Sequence, residues 1–242
     1  MARALNLINS DEPFFGHKAC AGCGGSLAVR IALKVLGDRA IAILPAGCMS
    51  AVGFNFPQLA FGCNAMISTF AGTASLMTGV AAGMKRKGET DFTVVGFAGD
   101  GGTADIGIQA LSGAIDRNDD ILYICYDNEA YMNTGIQQSS LTPYGASTTT
   151  SPVDRNGQAT LTQKKNMFRI VSAMGAPYVA TASVGYLDDY ARRRAISTGR
   201  SSSTCLLHAR PGGEARSTRR WSSRARRSTA VYGGWRNARA AW

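Results

Sequence analysis

Two constellations in this chain have the residue types and spacing to do chemistry. The first is the run HKACAGCGGS, His17 to Ser26, in which Cys20 and Cys23 stand as a Cys-x-x-Cys pair. Such a pair can close a disulfide, cycle as a redox dithiol, or supply half of a metal site. Six cysteines spread over 242 residues do not make a dense disulfide framework. In a reducing compartment, metal binding or plain core packing is therefore favoured over bridging. The second constellation is GDGG, Gly99 to Gly102, with Asn128 following Asp100 by 28 residues in YDNEAYMNTG. A carboxylate at a glycine turn can hold a hard cation while the backbone approaches a phosphate closely. The Asn128 amide oxygen and the Ala130 carbonyl would bring the protein oxygens to three, leaving diphosphate oxygens and water to complete an octahedron around Mg2+. Taken alone, Gly-Asp-Gly is a strand-to-helix turn; its pairing with Asn128 makes it a cofactor site.

For Asp100 and Asn128 to meet, the segments carrying them must be neighbouring strands. FTVVGFAGDGG and ILYICYDNEAY both read as buried strands that run straight into polar residues, with the helical ADIGIQALSGAIDRND between them. Strand, helix, strand is the parallel crossover unit, and such sheets bind ligands just past their strand C-termini. Upstream, SLAVRIALKVLGD has helical spacing and AIAILPAGC is a short apolar run ending in turn residues. STFAGTASLMTGVAAGMKRKG reads as a small-residue helix stopped by a cationic turn and a glycine. These elements predict a doubly wound, mostly parallel α/β domain over residues 1–191, with strands ending at Ala98 and Tyr126 adjacent and parallel. Asp105 falls on the helix after the glycine turn and reads as its cap. No run of 18 apolar residues and no leader pattern is visible, so the expectation is a soluble cytoplasmic protein with no membrane partner.

The formal charge of +10 is not spread evenly. From Arg192 onward there are 13 arginines, no lysine and one acid, Glu214, a net +12, whereas the preceding residues carry 13 basic and 15 acidic side chains, a net −2. Residues 192–242 show neither helical nor strand periodicity and are dominated by Arg, Ser and Gly, a composition that buries too little apolar surface to repay ordering. A nucleic-acid-binding arm would draw on the same cations. The absence of lysine and of aromatic spacing argues against it, and no nucleic-acid partner is expected.

GHKACAGCGG, PAGCM, GDGGTADIGIQALSG, YDNEAYMNTGIQ and TPYGASTTTSPV occur in this order, and over roughly residues 14–190 the chain resembles the thiamine-diphosphate-binding β subunits of the 2-oxoacid:ferredoxin oxidoreductases, in particular the pyruvate branch. The resemblance implies oxidative decarboxylation of pyruvate or a related 2-oxoacid to acyl-coenzyme A and CO2, with electrons passed to ferredoxin. It implies thiamine diphosphate, Mg2+ held by Asp100, Asn128 and the Ala130 carbonyl, and a [4Fe-4S] cluster ligated by Cys20, Cys23 and Cys48. It places Asn133 on the substrate side as the catalytic residue, Gly47, Cys48 and Phe70 beside the thiazolium ring, and Gly99 to Gly102 at the diphosphate. Partner α, γ and δ subunits are implied, and because the α subunit carries the activating glutamate, this chain is expected to be inactive alone. Cys63 and Cys125, in apolar or small-residue surroundings, read as structural. His17 and Lys18 fit either a charge-tuning role at the cluster or a solvated surface.

Four thiolates hold the family's cluster, and the fourth comes from a Cys-Pro turn in the region that is here aperiodic. Cys205 lies near that place, but SSSTCLLH does not match the pattern. Codons for Gly199 to Gly213 can be chosen so that the same bases, read two nucleotides later, spell PKFIHLLAPCPPGW, a strand followed by a Cys-Pro turn and an aromatic. The expectation is that residues 192–242 are out of frame and that Cys205 is an artefact of the frame. Two alternatives stand beside this reading: a non-redox thiamine-dependent decarboxylase or synthase, which leaves Cys20, Cys23 and Cys48 without a purpose, and an inactive truncated fragment.

Overall fold

The computed structural model describes residues 11–198 and 204–209, the stretches 194–198 and 204–209 by backbone alone. Its strands are β1 (Ala40–Pro45), β2 (Phe54–Asn55), β3 (Gln58–Leu59), β4 (Asn64–Ser68), β5 (Thr93–Gly99), β6 (Leu122–Asp127), β7 (Tyr178–Ala182) and β8 (Thr204–Ala209). The helices are α1 (Gly24–Leu36), α2 (Cys48–Gly53), α3 (Thr73–Arg86), α4 (Asp100–Ala104), α5 (Ile108–Asp116), α6 (Met167–Ala173) and α7 (Leu187–Thr198). Six strands form one sheet in the order β4-β1-β5-β6-β8-β7, every pair parallel, while β2 and β3 make a small antiparallel ribbon.

Side-chain alternation divides the core in two. β1 sends Ala40, Ala42 and Leu44 to one face and Ile41 and Ile43 to the other; β6 sends Leu122, Ile124 and Tyr126 one way and Tyr123 and Cys125 the other. A strand covered on both faces must be apolar throughout, which is why these segments read as continuous hydrophobic runs. On one face Val29 and Leu33 of α1, Met49 of α2 and Tyr190 of α7 complete the packing. On the other, Met77 of α3, Leu111 of α5 and Val171 of α6 do so. The expected doubly wound sheet is therefore present. Cys63 and Cys125 are buried in these layers.

The chain passes from β1 outward to β4, then returns across β1 to β5, so strand order reverses between β1 and β5. Ligands of open α/β sheets sit in the crevice that such a reversal leaves at the C-terminal ends of the strands. β5 and β6 are adjacent and parallel, with Ala98 opposite Cys125 and Gly99 opposite Tyr126.

The helix expected over 104–119 begins only at Ile108, as α5, because α4 ends at Ala104 and the chain breaks at Asp105–Gly107. A β-carbon at Gly107 would lie 2.0 Å from the Gly102 carbonyl oxygen, so the break needs a glycine. α7 runs through the boundary placed at 191/192: Arg is a good helix former, Arg193 pairs with Asp189 one turn earlier at 2.7 Å, and Tyr190 donates to the Ala28 carbonyl at 3.0 Å. β8 too lies in the stretch without visible periodicity. The frame reading otherwise concerns residues 199–203 and 210–242, outside the described residues. Among the described residues no helix is long and apolar enough to cross a membrane.

Candidate functional site

The C-terminal ends of β1, β5 and β6 open into a cavity of about 320 Å3. Gly47 and Cys48 after β1, Phe70 ahead of α3, Gly99 to Gly102 after β5, and Asn128, Ala130 and Asn133 after β6 all line it. Cys20 and Cys23 do not; they border a second cavity, of about 400 Å3, with His17 and Arg30. Sequence reasoning missed Tyr126, Tyr131, Met132 and Thr134, which share the first cavity's wall. Tyr126 and Tyr131 stand inside the quoted motif, and being aromatic next to a polar site was their only signal.

At the cavity floor, one terminal atom of the Asn128 amide lies 2.8 Å from Asp100 Oδ1 and 3.0 Å from the Ala130 carbonyl oxygen. With the amide nitrogen in that place, it donates to both. With the amide oxygen there, it stands 2.8 and 3.0 Å from the other two oxygens, near the roughly 3.0 Å that separates neighbouring ligands in an octahedron with bonds of about 2.1 Å. In that second orientation Asn128 Nδ2 donates to Cys48 Sγ at 3.9 Å. Asp100 is 1% exposed and forms no salt bridge among the described residues. Burial pushes its carboxyl up to about 7, against the hydroxyl of Ser139, which donates to Oδ2, and with the nearby Asp127 charge adding to the rise. A bound cation would reverse that penalty, since an opposite charge favours the ionised form. The donor set and its spacing thus fit a hard divalent ion.

The glycines work differently from the expectation. A β-carbon at Gly101 would meet the Tyr131 ring at 2.0 Å, and one at Gly102 would meet Phe70 at 3.2 Å. Two aromatic rings, 6.0 Å apart between centroids, occupy those directions, so only backbone atoms of the turn remain to cradle a phosphate.

Asp105 is not a cap on the following helix. It closes α4 and its carboxylate collects donors from far along the chain: the Tyr131 hydroxyl at 2.8 Å, the Ser140 N–H at 3.1 Å, the Ser140 hydroxyl, and Lys165 Nζ at 3.2 Å. Burial works against ionisation, but these donors outweigh it and hold the carboxyl below its ordinary value.

Of the three cysteines, Cys48 opens α2, Cys23 caps the start of α1 by accepting from the Ser26 N–H at 3.5 Å, and Cys20 is exposed. The Cys48 thiol is pushed up to about 11, first by burial and then by the neighbouring Cys23, with Cys20 adding to it. Cys48 is thus close enough to Cys23 and Cys20 to feel their charge. Among the described residues, no three His, Cys, Asp or Glu side chains converge tightly enough for a single ion. Tyr126 lines the first cavity beside Cys48 and also packs near Gly25 and Cys23, and its hydroxyl accepts from the Met49 N–H at 3.4 Å. Stacking of His17 on Phe14 (4.6 Å) and its 3.4 Å approach to Arg30 tie it into the fold rather than leaving it solvated.

Residues 45–205 match the model of the thiamine pyrophosphate enzyme C-terminal TPP-binding domain. The chain is 53% identical to the pyruvate synthase subunit PorB of Methanothermobacter thermautotrophicus over 175 residues, 72% of this chain and 61% of that protein. It is 49% identical to the ketoisovalerate oxidoreductase subunit VorB of Pyrococcus horikoshii over 192 residues, 77% of this chain and 62% of that one. It therefore spans about three-fifths of the length of these relatives. Among solved structures, the 2-oxoglutarate:ferredoxin oxidoreductase of Magnetococcus marinus superposes with a TM-score of 0.67 at 21% identity, over 85% of this chain and 66% of that one, a likeness of fold. The crevice at the strand-order reversal and these matches agree: the chain belongs to the thiamine pyrophosphate enzymes through their C-terminal TPP-binding domain.

Proposed function

We propose that this chain is the cofactor-binding subunit of an enzyme that oxidatively decarboxylates pyruvate or a related 2-oxoacid to acyl-coenzyme A and CO2, and that it passes the electrons through a [4Fe-4S] cluster to ferredoxin. The observation that carries this reading is the approach of the Asn128 amide to Asp100 Oδ1 at 2.8 Å and to the Ala130 carbonyl at 3.0 Å in the switch-point cavity. Asp100, Asn128 and Ala130 would hold Mg2+, and the backbone of Gly99 to Gly102 the diphosphate. Thiamine diphosphate supplies an electron sink for the carbanion left when a 2-oxoacid loses CO2. Phe70, Gly47 and Cys48 wall the cavity and exclude water, Asn133 stands at the substrate side, and Tyr131 props the glycine turn from below. Cys20, Cys23 and Cys48 are the thiolate ligands, the usual donors to such a cluster. Partner α, γ and δ subunits complete the site.

Calorimetric titration of the full chain with thiamine diphosphate and Mg2+ tests the cofactor assignment: Asp100→Ala should abolish binding that the parent shows. No binding by the parent would end the proposal. A brown anaerobic preparation absorbing near 400 nm separates it from a non-redox decarboxylase, which needs no iron.

A further inference from the structure

Two consecutive lysines, on the segment between the site loop and α6, each grip one of the two strand ends that carry the oxygen triad. Lys164 Nζ lies 2.5 Å from Asp127 Oδ2 and 3.6 Å from Glu129 Oε1. Asp127, the last residue of β6, is only 7% exposed, and its other oxygen accepts from the Glu129 N–H at 3.0 Å. Glu129 has a φ of 70°, a conformation few residues adopt without support. This pinned turn lies between Asn128 and Ala130, so it sets where the amide and the carbonyl point. Lys165 serves the other strand. Its Nζ donates to the Ala104 carbonyl at 2.9 Å and pairs with Asp105 at 3.2 Å, while its N–H donates to the Ser140 carbonyl at 2.9 Å. Asp105 in turn holds Ser140, and its neighbour Ser139 donates to Asp100.

We propose that Lys164 and Lys165 form a two-pronged staple: as positioning residues they fix the separation of the Asp100 and Asn128–Ala130 halves of the site, and so set its affinity for a divalent cation carrying a diphosphate. Neither ammonium touches the cavity wall. Lys164 also balances Asp127 and Glu129, the first of which lies near enough to Asp100 to act on its carboxyl. Breaking a buried pair from one side leaves the remaining carboxylate uncompensated, whereas neutralising both partners removes that penalty. This inference rests on reading the triad as a metal-diphosphate site.

The test measures Mg2+ affinity of the full chain at saturating thiamine diphosphate. Lys164→Gln and Lys165→Gln should each weaken it about tenfold or more, the range for residues that orient metal ligands from behind. Lys164→Arg, which keeps the charge and the reach, should bind within about threefold of the parent, while the paired Asp127→Asn/Lys164→Gln variant, which lacks the prong without burying a lone carboxylate, should stay as weak as Lys164→Gln. If Lys164→Gln proves unstable, the paired variant still decides, since it buries no lone charge. Single Gln variants within twofold of the parent, or a paired variant restored to the parent's affinity, would overturn the staple. If those results appear while Asp100→Ala still abolishes binding, the cofactor reading survives; if the parent binds nothing, both fall.

Discussion

Asp100 and Asp105 lie five residues apart in one glycine-rich motif, yet their surroundings push them in opposite directions. Burial raises Asp100 to about 7, whereas the donors around Asp105 overcome burial and lower it. A lowered carboxyl releases its proton more readily folded than unfolded, so its stabilisation is complete above the ordinary carboxylate value and is lost as pH falls through the folded one. Asp105→Asn should therefore flatten the acid limb of the unfolding midpoint plotted against pH. At neutral pH it should cost about 0.5–1.5 kcal/mol, the net worth of hydrogen bonds weakened at a half-buried, partly screened carboxylate. Denaturant melts at several pH values check this, and parallel curves for parent and variant would show that Asp105 carries no such linkage. The role was not legible in the sequence because its partners Tyr131, Ser140 and Lys165 lie 26, 35 and 60 residues downstream. Asp100 and Asn128 were legible because each directly follows a strand that burial makes apolar.

The same contrast holds for whole elements. β1, β5 and β6 are covered on both faces, and their burial shows directly as runs of Val, Ile, Leu and Ala. β4 sits at the sheet edge with most of its residues exposed, and α7 is predominantly polar, so neither leaves an apolar signature. The glycines of the β5–α4 turn read in the sequence as room for a phosphate; in the fold they also make room for aromatic rings. Tyr131 fills the place where a Gly101 side chain would go, so Gly101→Ala must drive the ring outward. Overpacking of this kind typically costs about 1–3 kcal/mol. It should also release the Tyr131–Asp105 bond that anchors the loop carrying Met132 to Thr134. In a double-mutant cycle, the stability cost of Gly101→Ala should shrink in a Tyr131→Ala background. An unchanged cost would mean that the glycine serves the backbone rather than the ring.

At the scale of the molecule, the C-terminal stretch decides whether the three-cysteine arrangement can hold a cluster. β8 lies between β6 and β7, with Cys205 opposite Tyr123 and Val179 in register. Tyr123 is four residues before Asp127, the end of β6, so the Cys205 backbone stands about 13 Å back from the sheet edge where Cys48 and the cavity lie. In that register Cys205 is the wrong cysteine for a fourth ligand. The shifted reading places its cysteine across the codons of His208 and Ala209, at the C-terminal end of β8. We therefore expect anaerobic reconstitution of the chain to give fewer than four irons, because a cube with one iron open to solvent loses it readily. Cys205→Ser should leave iron content and the absorbance near 400 nm unchanged. Replacing residues 199–213 by PKFIHLLAPCPPGW and restoring the downstream frame should bring the count to four and, with the partner subunits present, restore ferredoxin reduction. A full complement of four irons in the unaltered chain, insensitive to Cys205→Ser, would refute the three-ligand argument and leave Cys20 and Cys23 to be explained as a site completed from elsewhere in the assembly.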